Sequence, residues 1–116
     1  MLAWLFAKAA ALSSRDTLLE PSAGNGALAI WAYGQAASLT LNEIDAGRRD
    51  SLAHIFPNAA INSYDGELIA DLHRGPIPSV VLMNPPFARS EERGSDGGTA
   101  LRHLRSAIRA CCIIVW

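Results

Sequence analysis

Residues 17–26 read Thr17-Leu18-Leu19-Glu20-Pro21-Ser22-Ala23-Gly24-Asn25-Gly26, and the apolar stretch ALAIWAY of residues 27–33 follows at once. A short apolar run without two-fold alternation is the pattern of a strand covered on both faces. Pro21 ends it, because proline brings no donor to a strand ladder. Gly24 and Gly26 then allow positive φ in the loop, which predicts a strand over Thr17–Glu20 and a helix over Gly26–Tyr33. In a parallel sheet such a junction lies at the carboxyl ends of the strands, where ligands bind.

The same rhythm continues outward. Further strands are expected at Ser38–Glu43, Ala60–Tyr64, Ser79–Met83 and Cys112–Trp116, all built for burial on both faces. Helices fit Leu2–Leu12, Ala46–Ile55 and Thr99–Ala110, with Asp45 as the cap of the second. From Gly66 to Pro78 the pattern is ambiguous; Leu68, Ile69 and Leu72 suit a helical turn or two before Gly75-Pro76 breaks it. Strand and helix in alternation imply right-handed crossovers, hence an α/β, Rossmann-like, doubly wound parallel sheet that stops after its fifth strand. With 116 residues, the chain is one domain, residues 1–116. Its 50% apolar and 18% charged composition excludes a disordered tail. No stretch has the 18 or so uninterrupted apolar residues that a membrane span needs. Cys111 and Cys112 are neighbours in an apolar run, which suits buried thiols in a cytoplasmic protein.

Chemistry is expected just after each strand. Gly24-x-Gly26-x-x-Ala29, with Glu43 nineteen residues after Gly24, would by itself suit a nicotinamide-dinucleotide loop. Glu20 points elsewhere: a carboxylate at the mouth of the loop repels a pyrophosphate and attracts the amino or sulfonium end of a cation. EPSAGNGALA, residues 20–29, resembles motif I of the class I S-adenosylmethionine-dependent methyltransferases, and its EPSAG wording is similar to the DNA adenine-N6 enzymes. The resemblance implies S-adenosylmethionine as cofactor, met by Glu20, Pro21, Ala23, Gly24 and Gly26. It further implies that Glu43 holds the ribose and Ile44 packs on the adenine. Asp65 stands where that family often places an acid against the adenine amino group, although Asp65-Gly66 also suits a plain turn.

After the fourth strand comes Asn84-Pro85-Pro86-Phe87. Two prolines end the strand and leave the Pro85 carbonyl without a ladder partner. An exocyclic amine such as adenine N6 is a poor nucleophile because its lone pair is delocalised into the ring. The Asn84 side-chain oxygen and the Pro85 carbonyl could accept its two N–H bonds and aim the lone pair, while Phe87 stacks on the flipped base. NPPF resembles motif IV of amino-methyltransferases, which implies these catalytic roles for Asn84, Pro85, Pro86 and Phe87. Similar tetrapeptides serve enzymes acting on DNA, on RNA and on protein glutamine.

Net charge is -1, but unevenly placed: residues 1–88 hold five Lys/Arg against eight Asp/Glu, and residues 89–116 hold five against three. Arg89, Arg93, Arg102 and Arg105, with Arg109, therefore suit either phosphate contact with DNA or a solvated helix face. NPPFARS and TALRHLRSAI also bear a looser resemblance to the methylase part of plasmid-borne methyltransferase/helicase proteins of the strawberry notch type. His54, His73 and His103 have no metal-ligand spacing. The resembled family adds strands after the fifth, and its DNA enzymes add a target-recognition region, so the expectation is a partial domain. That domain would hold the methyl donor, be either active or catalytically incomplete, and be able to associate through an uncovered fifth strand.

Overall fold

The computed structural model describes residues 2–69, 73–84 and 110–113. In chain order the elements are α1 (Leu2–Ala9), β1 (Thr17–Glu20), α2 (Ala29–Ala32), β2 (Ser38–Asn42), α3 (Ala46–Ile55), β3 (Ala60–Asn62), a 3-10 turn (Gly66–Leu68), β4 (Val80–Met83) and β5 (Ala110–Ile113). The five strands form one sheet in the order β3-β2-β1-β4-β5, and every pairing is parallel. This is the expected Rossmann-like α/β sheet, with β1 at its centre. Among the described residues no helix is long and apolar enough to cross a membrane.

Successive side chains of a strand point to opposite faces. Leu18, Leu41, Val80 and Leu82 thus pack on one face against Ala29 and Ala32 of α2, Leu52 of α3 and Phe56 just after it. Leu19 and Val81 pack on the other face with Ile69, which follows the 3-10 turn. Both β1 and β4 are buried as expected, but β3 is not. Its residues are half-buried or exposed because, among the described residues, it has a neighbouring strand on one edge only.

Several boundaries shift for identifiable reasons. Helix α1 ends at Ala9, short of Leu12, because Ala11 takes a left-handed φ of 46° and donates its N–H back to Lys8. Helix α2 is only Ala29–Ala32, since Gly26 at φ 77° cannot be helical and Tyr33 is already extended. Strand β3 stops at Asn62, not Tyr64, because the Tyr64 amide bonds to a side chain of β2. Strand β5 begins at Ala110, which pairs with Val80, so Ala110 belongs to a strand and not to the helix expected over Thr99–Ala110. The rest of that helix and residues 114–116 lie outside the described residues.

At the amino ends of β1 and β4 a polar network ties the two strands together. Asp16, 5% exposed, accepts the amide and hydroxyl of Ser13 at 2.8 Å each and the Ser79 hydroxyl at 2.8 Å. Ser79 in turn accepts the Thr17 amide at 3.1 Å and donates its own to the Thr17 carbonyl at 2.9 Å. At the start of α3, Asp45 accepts the Arg48 amide at 2.8 Å and so caps the helix as its sequence position suggests.

The two glycines of the β1–α2 loop differ. A Cβ on Gly26 would lie 2.5 Å from Phe56 Cε2 and 3.0 Å from Leu52 Cδ2, whereas one on Gly24 would meet nothing within 4 Å. The Phe56 ring is itself held in a T-shaped contact with Tyr33, ring centres 5.2 Å apart. Both positions have positive φ, which costs an alanine about 1–2 kcal/mol, and Gly26→Ala adds overpacking of about 1–3 kcal/mol. Urea unfolding should therefore show Gly26→Ala losing roughly twice the stability that Gly24→Ala loses. Equal losses would contradict the packing account.

Candidate functional site

Four strand ends adjoin: β3, β2, β1 and β4. Glu20 closes β1 with its side chain in the interior, 1% exposed. Burial pushes its carboxyl up to about 8, against a smaller opposing pull from the Ala29 amide that it accepts. Among the described residues its buried Oε2 atom meets no hydrogen-bond partner, and neither does the buried hydroxyl of Ser22, two residues on. Two orphaned oxygens so close in the chain are costly unless a donor meets them. An N–H donor carrying positive charge at the Glu20 oxygen would draw the proton off that carboxyl.

Glu43, the first residue after β2, is also buried, but its carboxylate is occupied. Oε2 accepts the Gly24 amide at 2.8 Å and Oε1 the Asp45 amide at 2.9 Å, while Arg48 Nη1 stands 3.9 Å from Oε1. The acid thus braces the glycine loop against the start of α3. A carboxylate offers about four acceptor positions, so the brace leaves capacity for hydroxyl donors. Arg49 bonds the carbonyls of Glu43 and Ile44 at 3.0 and 2.6 Å, and the Ile44 side chain stands out, 65% exposed. Asp65 precedes the 3-10 turn, and Gly66 packs so tightly on the loop that a Cβ there would lie 3.1 Å from the Pro21 carbonyl oxygen.

Asn42 is a residue that sequence reasoning missed. Its side chain, 1% exposed, donates to the Pro21 carbonyl and to the Tyr64 carbonyl at 2.9 Å each and accepts the Tyr64 amide at 2.9 Å. Its own carbonyl accepts the Ala23 amide at 2.9 Å. The one available signal was a polar residue inside an otherwise apolar strand, directly before a strand-end acid.

Asn84 is exposed and directly follows β4. Because β1 and β4 run parallel with Leu19 paired to Val81, Asn84 follows β4 at the same carboxyl end of the sheet at which the loop bearing Ser22 follows β1. Pro85, Pro86 and Phe87 lie outside the described residues, as do Arg89, Arg93, Arg102, Arg105 and Arg109. The structure therefore brings Glu20, Pro21, Ala23, Gly24, Glu43, Ile44, Asp65 and Asn84 to one edge of the sheet. Gly26 turns the space of its missing side chain toward Phe56 instead. A small crevice bordered by Thr17, Leu19, Ser38, Thr40 and His73 runs along β1 and β2 and is lined by none of these groups.

No protein-family model matches the sequence, and no curated protein matches it. Solved structures do. The 23S rRNA methyltransferase ErmE superposes with a TM-score of 0.70 over 97% of this chain and 44% of its own, at 19% identity. The Escherichia coli protein yhhF, assigned provisionally as a methyltransferase, gives 0.64 over 78% and 55%, at 25% identity. A provisionally assigned methyltransferase of Streptococcus mutans, solved in complex with SAH, gives 0.63 over 92% and 64%, at 14% identity. The chain spans about half the length of the first two. At these identities the likeness is one of fold.

The state of Glu20 has a measurable consequence. Its folded pKa, about 8, lies above its ordinary value of 4.5, so between those values the folded chain holds a proton that the unfolded chain releases. Its contribution to stability is complete below pH 4.5 and is lost as pH rises through 8, a fall of at most about 5 kcal/mol. Urea unfolding at pH 5, 6.5 and 8 should show this decline, and Glu20→Gln should flatten it. An equal decline in the variant would assign the effect to other groups.

Proposed function

We propose that the chain is the cofactor-binding core of an S-adenosylmethionine-dependent methyltransferase acting on an exocyclic amine, adenine N6 of a nucleic acid. The observation that carries this reading is the buried, unpartnered Glu20 carboxyl oxygen beside the glycine loop. It is an acceptor in want of a cationic donor, at the sheet edge where Glu43 offers a second carboxylate. Likeness in fold to methyltransferases, one of them solved with SAH, supports it. So do the EPSAGNG and NPPF motifs.

When bound, S-adenosylmethionine supplies a methyl group made electrophilic by sulfonium. Glu20 and Ser22 would hold the amino end, Glu43 the ribose hydroxyls, and Ile44 and Asp65 the adenine, with Pro21, Ala23, Gly24 and Gly26 forming the loop beneath. Asn84, with Pro85, would accept the two N–H bonds of the target amine and direct its lone pair. Pro86 would restrict that segment, and Phe87 would stack on the base. The amine needs no strong base at the outset, because its proton becomes acidic only after methylation and can leave to water. The arginines of residues 89–109 would meet phosphates.

Glu20 also separates this reading from a dinucleotide-binding one. A carboxyl that holds its proton near neutral pH repels a pyrophosphate less than the sequence alone suggests. The distinction lies instead in what binding does to the proton. A cationic ligand forces Glu20 to ionise, so binding of S-adenosylmethionine at pH 7 should release close to one proton, detected by calorimetry in buffers of different ionisation enthalpy. Tighter binding of a nicotinamide dinucleotide, with no proton release, would refute the methyltransferase reading.

DNA is favoured as acceptor by the wording of EPSAG. RNA is the second reading, favoured by the likeness to a 23S rRNA methyltransferase. Transfer of labelled methyl to duplex DNA, ribosomal RNA and a glutamine peptide would decide, with N6-methyladenine the expected product. Asn84→Ala should cut transfer at least about a hundredfold, in line with the loss of one oriented acceptor, and leave SAH affinity within a few fold. Binding of cofactor with no acceptor labelled would mean that the chain is catalytically incomplete.

A further inference from the structure

We infer that Asn42 is a positioning residue, whose buried amide sets the spacing between the loop after β1 and the segment after β3, the two walls of the adenosyl site. This rests on the methyltransferase reading. None of the groups assigned to the cofactor includes the Asn42 side chain, which is enclosed and bonded entirely within the protein.

Its reach is set by what it bonds. The Pro21 carbonyl belongs to the residue after Glu20, and Tyr64, held through both its amide and its carbonyl, directly precedes Asp65. Ala23, bonded to the Asn42 carbonyl, directly precedes Gly24, whose amide goes to Glu43. The places of Glu20, Gly24, Glu43 and Asp65 are thus all referred to one side chain and its backbone. Gly66, two residues beyond Tyr64, faces the same Pro21 carbonyl, whose oxygen a Cβ there would approach to 3.1 Å.

Only a carboxamide fits this role. Two carbonyls need two donors and one amide needs an acceptor, within a single planar group. Alanine offers neither. An ionised aspartate would place a negative oxygen against two carbonyl oxygens. A protonated aspartic acid is an intermediate case, giving one O–H to one carbonyl and accepting the Tyr64 amide. The pH profile of Asn42→Asp therefore has a sign that simple loosening of the fold does not produce.

Wild type, Asn42→Ala and Asn42→Asp are compared by calorimetry with SAH, at temperatures where circular dichroism and thermal unfolding show each to be folded. At pH 7.5 Asn42→Ala should bind about 30-fold or more weakly, the effect of losing two or three net hydrogen bonds. Asn42→Asp should come within about fivefold of wild type at pH 5 and fall about 30-fold or more behind at pH 8, as its carboxyl ionises. Wild type should show the opposite trend, because Glu20 must lose a proton to receive the cation. The other ionisable groups at these strand ends, Glu20, Glu43, Asp65, Arg48 and Arg49, are common to wild type and variant, so the ratio of their affinities isolates residue 42. If wild type binds SAH and both variants match it within threefold at both pH values, the inference about Asn42 is wrong while the methyltransferase reading stands. If wild type does not bind SAH, the methyltransferase reading fails and takes this inference with it. Should Asn42→Ala not fold, the ratio of Asn42→Asp to wild type decides alone; a ratio constant between pH 5 and 8 overturns the inference.

Discussion

Strand β1 is paired on both edges, with β2 and β4, and covered on both faces. That single constraint dictates most of the chemistry at the strand ends. A strand enclosed in this way can end on a charged residue only by taking the charge out of water, and Glu20 is that residue. Its raised pKa is the electrostatic result of the topology, not of an unfavourable neighbour, since burial is the main cause. The same enclosure makes the loop after Glu20 turn sharply, and that turn brings Gly26 against Phe56 and Pro21 against Gly66.

The two strand-end acids show how one environment yields different chemistry. Glu43 is as well buried as a structural residue, yet backbone amides meet both of its oxygens. Glu20 has a single amide for its carboxyl and an oxygen left over. One acid is therefore a brace with spare acceptor capacity. The other is an open demand that the folded chain does not itself meet.

Local signals were legible in the sequence. Strand β1 and helix α3 fall on their expected residues, the first from an unbroken apolar run ended by proline, the second from Asp45 at its cap. The grouping of Glu20, Glu43, Asp65 and Asn84 along one sheet edge was also legible, because a parallel alternation of elements puts every strand's carboxyl end on the same side. Long-range partners were not. Nothing near Asn42 announces that its amide reaches residues 21 and 64, and nothing near Gly26 announces the Phe56 ring. Helix α2 shrank for a related reason: ALAIWAY has helical composition, but the chain must leave a positive-φ glycine and re-enter the sheet at Ser38. Strand β5 was misplaced by two residues because an unbroken apolar run carries no internal mark of register.

The network of Ser13, Asp16, Thr17 and Ser79 lies at the opposite end of the sheet from every group assigned a chemical role. It grips β1 and β4 at their base. Anchorage and chemistry are thus kept on separate ends of the same strands, and each can change without disturbing the other. Changes among the groups at the carboxyl ends of the strands would leave the contacts of Asp16 and Ser79 with β1 intact. The rim can take on different groups while the base keeps the contacts that hold β1 and β4 together.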